Sequence, residues 1–458
     1  MSVATEAVPA ADAVAAAETP MHWRVLAGLL LGGGMLAGDR TAGTRGRLAG
    51  AWLGAAVGAV LASALAIARA GRRPPIAPAQ ARERRGSNLT FTVLVAARDE
   101  AAVLPNLVHD LAMQTHRDAV GQPCFELVVV DDRSTDGTGD AALNAARDAG
   151  IGGVTRVIRR AGVGLPDGKG AALTAAQPEV CKGDVIVVLD ADARIGSEFL
   201  ATLAGYAEAG APAITARRRI LHTEGAAMAA VQADEQTLDG ELQRGRWALG
   251  GCSEFRGNGI VVRRGLLAEV GGWRPEALTE DLDLSSRIAA ARGIRVAWAI
   301  DAEVWEEPVT DWGALWRQRL RWAEGAIRRA FEHGLLVLAS SRLPLRARLD
   351  FAVYAGQLVA PALVVGGIAG SLRRGRLDVA SALLGTYALL GGILSFDSLR
   401  WERTASGDRL ATSQRLVRAL RLSLFNGIWL GAVPGALLRM ALRRGSVGYD
   451  KMPHRGVG

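Results

Sequence analysis

The sequence predicts an α/β domain built on a mostly parallel sheet and flanked by transmembrane helices. Three observations carry this. Between about residues 89 and 342, β-rich apolar runs alternate with segments of helical apolar spacing, the pattern of βαβ units. Within it, Val185 to Leu189 are apolar without alternation, as in a strand buried on both faces. Uncharged apolar segments lie on both sides of that region, and mean hydropathy over the 458 residues is +0.16, high for a soluble enzyme.

Residues 1–20 are Ala-rich and lack an apolar period, which predicts a disordered tail. No positive region precedes an apolar run, so they do not read as a signal peptide. Residues 21–72 hold the N-terminal membrane part. Val25–Gly38 is short for a span, whereas Leu48–Ala68 is uncharged, closed by Arg69, Arg72 and Arg73, and carries small residues suited to close packing in lipid. Residues 73–88 form a Pro- and Arg-rich linker. The α/β domain, 89–342, then offers strands at Phe91–Ala96, Phe125–Val130, Val154–Ile158 and Val185–Leu189. Helices are expected over Glu100–Thr115 and Asp136–Ala149 and opening at Gly170. Residues 349–442 form a C-terminal membrane region with apolar segments Phe351–Leu372, Leu377–Phe396 and Leu424–Leu438. Between the last two, Leu399–Arg421 is Arg-rich with helical apolar spacing and is expected on the membrane surface. Residues 443–458 are a tail.

The net charge is +8, mostly from Arg beside the apolar segments. That pattern suits membrane-surface anchoring and phosphate handling. No aromatic-interleaved basic patch points to nucleic acid as a partner. The widely spaced Cys124, Cys181 and Cys252 give neither a disulfide framework nor a zinc site, as suits a reducing compartment.

Five constellations carry chemistry. Asp190 and Asp192 end the central strand on one side of the chain. Two such carboxylates read either as a hard-cation site for Mg²⁺ or Mn²⁺ or as solvated strand-end acids. Asp131 and Asp132 end a second strand before a hydroxyl- and Gly-rich turn, and Glu100 follows the first strand; such groups read a nucleoside or cap a helix. Lys169, flanked by Gly168 and Gly170 at a helix start, can approach a diphosphate. Thr279, Glu280 and Asp281 precede a helix, where acids serve capping or general-base chemistry. Gln318, Arg321 and Trp322 share one helix face, which suits phosphate and sugar contacts or a membrane-lying helix.

Taken together and in this order, Asp131–Asp132, Asp190–Asp192, Thr279–Asp281 and Gln318–Trp322 resemble the D, DxD, TED and Q(Q/R)xRW motifs of membrane-bound, cellulose-synthase-like family 2 inverting glycosyltransferases. The resemblance spans Phe91 to about Trp322. It implies a GT-A (Rossmann-like) fold, a UDP-sugar donor and Mg²⁺ or Mn²⁺. It gives Glu100, Asp131, Asp132, Lys169, Asp190, Gln318 and Arg321 to the donor, and Asp190 and Asp192 to the metal. Asp281 becomes the base, with Asn258, Glu280 and Trp322 on the acceptor side, where Cys252–Gly259 is expected to line the cleft. The expected activity is hexose transfer to a membrane lipid, carotenoid or other isoprenoid alcohol, with a processive polysaccharide synthase and a non-catalytic scaffold as alternatives. The resemblance implies a multi-pass protein of a bacterial-type cell membrane with its catalytic domain in the cytoplasm. Whether the last apolar segment crosses the bilayer, or Pro434 breaks it into a re-entrant hairpin, is open at this level.

Overall fold

The computed structural model describes residues 19–43, 89–162, 166–221, 226–404 and 406–443. Residues 1–18 of the expected disordered tail, the segment Leu48–Ala68, the linker and the C-terminal tail beyond Arg443 lie outside the described residues.

The four expected strands form as β1 (Phe91–Ala97), β2 (Phe125–Asp132), β3 (Thr155–Arg160) and β4 (Val185–Asp190), all mutually parallel in the order β3-β2-β1-β4. Their apolar residues divide by alternation between two cores. Val93, Val95, Leu127, Val129 and Val187 face one layer, and Leu94, Val128, Val130, Ile186 and Val188 the other. This is the two-sided burial that an unalternating run requires. Each fully buried Val or Ile contributes on the order of 1.5–3 kcal/mol. Helices α2 (Leu104–Ala112), α3 (Thr138–Asp148) and α4 (Lys169–Leu173) follow β1, β2 and β3, as crossovers between parallel strands must.

The sheet continues beyond the strands legible in the sequence. After β4 come β5 (Arg194–Ile195), α5 (Phe199–Glu208), β6 (Ala213–Ile220), α6 (Ala227–Ala248), β7 (Ile260–Arg263), α7 (Arg264–Glu269), α8 (Glu280–Arg292) and β8 (Ala297–Glu306). The full order is β3-β2-β1-β4-β7-β6-β8-β5. Strand β7 lies antiparallel between β4 and β6, while β6 and β8 are parallel. Inserting β7 brings the β6 and β8 ends beside the C-terminal end of β4, so three chain segments converge on Asp190.

Helix α9 (Trp312–Ala339) leaves the sheet, started by Asp311, whose Oδ2 accepts from Ala314 N–H at 2.7 Å. Then follow α10 (Leu345–Ala355), α11 (Ala360–Arg373), α12 (Leu377–Ser398), α13 (Thr412–Phe425) and α14 (Ile428–Leu442). Within the described residues, three stretches are long and apolar enough to cross a membrane: Leu345–Arg373, Leu377–Trp401 and Thr412–Leu442. Leu399–Arg421 is only partly helical: a short turn at Leu399–Trp401 precedes the helix from Thr412. Pro434 sits inside α14 without ending it. N-terminal helix α1 (Met21–Gly43) is longer than its apolar run suggests and packs along α11. A Cβ on Gly366 would lie 2.5 Å from the Met35 Cα, so only glycine permits this backbone approach. At the far end of the pair, Asp39 holds Arg373 and Arg374, each at 2.7 Å.

Candidate active site

A cavity of about 700 Å³ opens at the C-terminal ends of β1, β2 and β4 and continues to the C-terminal helices. This is the edge at which open α/β sheets bind ligands. Its polar end is lined by Glu100, Asp132, Lys169, Asp190, Asp192, Asn258, Glu280, Asp281, Gln318, Arg321 and Trp322. These are all the expected site residues but one. Asp131 is not among them: its Oδ1 accepts from Ser134 N–H at 3.2 Å, and its Oδ2 packs under Gly139. Alternation explains this, since neighbouring residues of β2 point to opposite sides of the sheet. Asp131 thus braces the turn, and Asp132 alone of the pair reaches the cavity.

At the wall formed by β1 and β2, Asp132 accepts from Arg133 Nε at 2.9 Å and Arg160 at 2.8 Å. Arg133 and the neighbouring Asp99 are the only non-glycine residues at positive φ among those described, 60° and 50°. Strain held in two loops that meet at one wall is a mark of a preorganised site.

The centre is crowded with carboxylates. Lys169 Nζ donates to Asp190 Oδ1 at 2.5 Å and to the Gly257 carbonyl at 2.9 Å, and stands 3.4 Å from Glu280. Burial alone would lower the Lys169 pKa, but Asp190 and Glu280 outweigh it and raise it, so the ammonium stays charged. Asp192 Oδ2 accepts from Glu307 N–H at 3.0 Å. The Asp190 N–H donates to Asn258 Oδ1 at 3.1 Å, so Asn258 fixes the strand end instead of reaching out. Gly257 and Gly259 flank it at φ of 79° and 77°. A Cβ on Gly259 would lie 2.5 Å from that of Ala216. A protein cation already stands against Asp190, and Asp190 and Asp192 form an all-oxygen set at a strand end. The donor chemistry therefore fits a hard divalent cation. Asp283, Glu332 and His333 also lie together, but Arg274 and Arg287 already neutralise that cluster, which suits a structural lock better than a metal.

Asp281 lies inside the protein yet keeps partial contact with the cavity. Burial and then the repulsion of Glu280 push its carboxyl up to about 6, against the pull of Leu282 N–H, Arg256 and Lys169. A carboxylate poised there accepts a proton near neutral pH.

Trp322 is held between two guanidinium groups, Arg319 at 4.4 Å and Arg218 at 5.5 Å from the ring centre. Arg218 in turn pairs with Glu306, its Nε donating at 3.1 Å, and Arg319 pairs with Glu235. Beyond lies a cage in which Glu254 meets Arg329 at 2.9 Å and Arg256 at 3.6 Å. Burial would raise Glu254, but Arg329, Arg246 and Arg256 hold it down at about 2. Arg218, Glu254, Arg256, Glu306 and Arg319 were not singled out from the sequence. The one available signal was the run Arg217–Arg219 inside an otherwise apolar strand. The far end of the cavity is apolar: Val353, Leu358, Pro361 and Val364 from α10–α11, Leu394 from α12, and Leu430 and Val433 from α14.

Comparisons with known proteins agree with this geometry. The sequence model of the family described as Glycosyltransferase like family 2 matches residues 88–325. A Beta-monoglucosyldiacylglycerol synthase of Nostoc sp. is 30% identical over 384 residues, 82% of this chain and 79% of that protein. The protein of the same name from Synechocystis sp. is 30% identical over 79% of this chain and 74% of its own. Among solved structures, the mannosyltransferase PcManGT of Pyrobaculum calidifontis, determined with GDP-Man and Mn²⁺, superposes with a TM-score of 0.57. It is 21% identical, covering 85% of this chain and 97% of its own, which shows a shared GT-A-like fold.

Proposed function

The chain belongs to glycosyltransferase family 2, and from that premise we propose that it is a membrane-bound inverting hexosyltransferase that moves glucose from UDP-glucose to a diacylglycerol-type lipid alcohol. One observation carries the acceptor class. The cavity that holds Asp281 and Asp190 at one end is walled at the other mostly by apolar side chains of α10–α12 and α14, with Tyr354, Gln357, Tyr387 and Asn426 among them. A hydroxyl at the head of a lipid would reach Asp281 while its chains stay among those helices. The relatives' name, with its diacylglycerol and its β prefix, supports both acceptor and inversion.

In this reading Glu100 and Asp132 hold the nucleoside, and Lys169, Gln318 and Arg321 face the diphosphate. Asp281 accepts the proton of the acceptor hydroxyl. The oxygen then forms its bond to the anomeric carbon as the bond to the diphosphate breaks on the opposite face. One displacement turns an α-linked donor into a β-glycoside, and UDP leaves with the electron pair. Asp190 and Asp192 would hold Mg²⁺ or Mn²⁺, which when bound supplies positive charge against the leaving diphosphate. Trp322, stiffened by Arg218 and Arg319, offers the sugar a flat face, while Glu280 and Asn258 support the base and the strand end. The catalytic domain faces the cytoplasm, where nucleotide sugars are made.

Membranes carrying the protein, given labelled UDP-glucose, UDP-galactose or UDP-GlcNAc, test this. Label in the organic phase with diacylglycerol supports it. Label in a water-soluble polymer supports the processive alternative instead.

A further inference from the structure

Hydropathy marks Thr412–Leu442 as a bilayer span of 31 residues. Its contacts place it elsewhere. Helix α9 carries Arg317, Arg319, Arg321, Glu324, Arg328, Arg329, Glu332 and His333, too many charges for hydrocarbon. Helix α14 runs along α9 in parallel, advancing one turn in both at each contact. A Cβ on Gly431 would lie 2.9 Å from the Trp316 ring and one on Gly435 3.0 Å from Leu320. One turn further, Arg439 and Arg443 reach Glu324 at 3.5 and 3.3 Å. At the other end Arg418 and Arg421 both hold Asp234 of α6 at 2.5 Å, and Trp429 Nε1 donates to Glu235 at 3.1 Å.

From Arg418 to Arg443 the helix path is roughly 37 Å at 1.5 Å per residue. That exceeds the ~30 Å hydrocarbon core. A crossing helix would carry one end a full bilayer away from the catalytic domain, yet here both ends touch it. The hairpin of α10–α11 and α12 behaves differently. It starts at Asp350, bound to Arg246, and returns at Arg400, bound to Glu241, with the Arg373–Asp39 pair at its far turn.

The outward face agrees. Leu416, Val417, Leu420, Leu424, Leu438 and Leu442 are 52, 66, 56, 77, 48 and 69% exposed, while Arg418 and Arg421 of the same helix turn inward to Asp234. A helix facing water has the opposite pattern. We infer that Thr412–Leu442 does not cross the bilayer but lies flat in its cytoplasmic leaflet, wedged between the lipid on one side and α9 and the start of α1 on the other, with both ends on the catalytic side. The occupant of its apolar face is the lipid surface, because α13 follows, after the short non-helical stretch 402–411, the hairpin that crosses. Two crossings by that hairpin return the chain to the side from which it started. Glu235 bonds both Trp429 and Arg319, and Arg319 stacks on Trp322, so seating the helix in the leaflet sets the face that the sugar meets. The cytoplasmic identity of that leaflet and this last consequence rest on the transferase reading; the placement of both ends on one side does not.

Single cysteines at Ser413, Leu442 and Leu377 test the placement in the full-length protein, whose native cysteines are buried. In right-side-out vesicles treated with an impermeant maleimide, Leu377→Cys should label from outside. Ser413→Cys and Leu442→Cys should label only when the vesicles are opened. Ser413→Cys and Leu442→Cys on opposite sides would overturn the inference. A bimane on Leu420→Cys decides independently. Stronger quenching by a nitroxide near the headgroups than by one near the chain ends supports it. Deeper quenching, or none because a second copy covers the face, contradicts it. Transfer by each variant checks folding, and loss of transfer with correct labelling would bear on the enzymatic reading alone.

Discussion

Asp281 and Glu254 line the same cavity and are both enclosed by protein, yet their neighbours shift them in opposite directions. Glu254 has three arginines around it and is held at about 2; Asp281 has Glu280 beside it and is pushed to about 6. The same division separates the two regions they belong to. Along the seam between α6, α9 and the C-terminal helices each acid is matched: Asp234 by Arg418 and Arg421, Glu235 by Arg319, Glu324 by Arg328. At the sheet edge Asp190 and Glu280 both reach the ammonium of Lys169, so acids gather there more densely than cations. A buried acid that is fully paired holds structure, and one left short of positive charge does chemistry or awaits a cation.

The comparison can be broken most severely at Asp281. Asp281→Asn keeps the shape and removes the proposed base, so transfer should fall by about 10²–10⁴-fold with UDP binding by calorimetry unchanged. Asp190→Asn should act on the other term, raising the donor KM and the metal concentration needed for half activity. Glu254→Gln should take from the buried Arg329 its carboxylate, while Arg246 and Arg256 keep Asp350 and Asp239, and cost about 3–5 kcal/mol of stability, read as a lowered midpoint in denaturant. Were it instead to lose turnover while staying folded, the division of roles would fail. Gly325→Ala is milder. Its Cβ would meet Thr279 Oγ1 at 2.6 Å, forcing α9 off the turn that carries Asp281. About 1–3 kcal/mol of overpacking is expected, seen in kcat more than in donor KM. The smallest effect is the pH profile. Below about 6 the Asp281 carboxyl is protonated and cannot accept the hydroxyl proton, so kcat should rise with pH through about 6 and then level. A rise centred near 4 would mean that Glu280 and burial do not act on it.

How legible was this in the sequence? The two-sided strand at Val185–Leu189 and the acids that end β2 and β4 could be read directly, because period and residue type are local properties. So could the sharing of a face by Gln318, Arg321 and Trp322. The partners of those residues could not. Arg218 meets Glu306 across β6 and β8, and Arg319 meets Glu235 from another helix, pairings between residues 84 or more positions apart that no local pattern shows. Asp131 was grouped with Asp132 by adjacency, although neighbours on a strand face opposite ways. The last apolar segment was read by hydropathy, which scores lipid contact but not its direction. The contacts of both its ends with the catalytic side, turn by turn along α9 and at Asp234, are what support lying in a leaflet over crossing it.

The most direct test of the central claim is the anomeric configuration of the product made from UDP-[¹⁴C]glucose and diacylglycerol in lipid nanodiscs, for the native protein and for Asp281→Asn. The account predicts a chloroform-soluble β-glucolipid from the native protein and almost none from the variant. An α-linked product, or equal yield from Asp281→Asn, would contradict it.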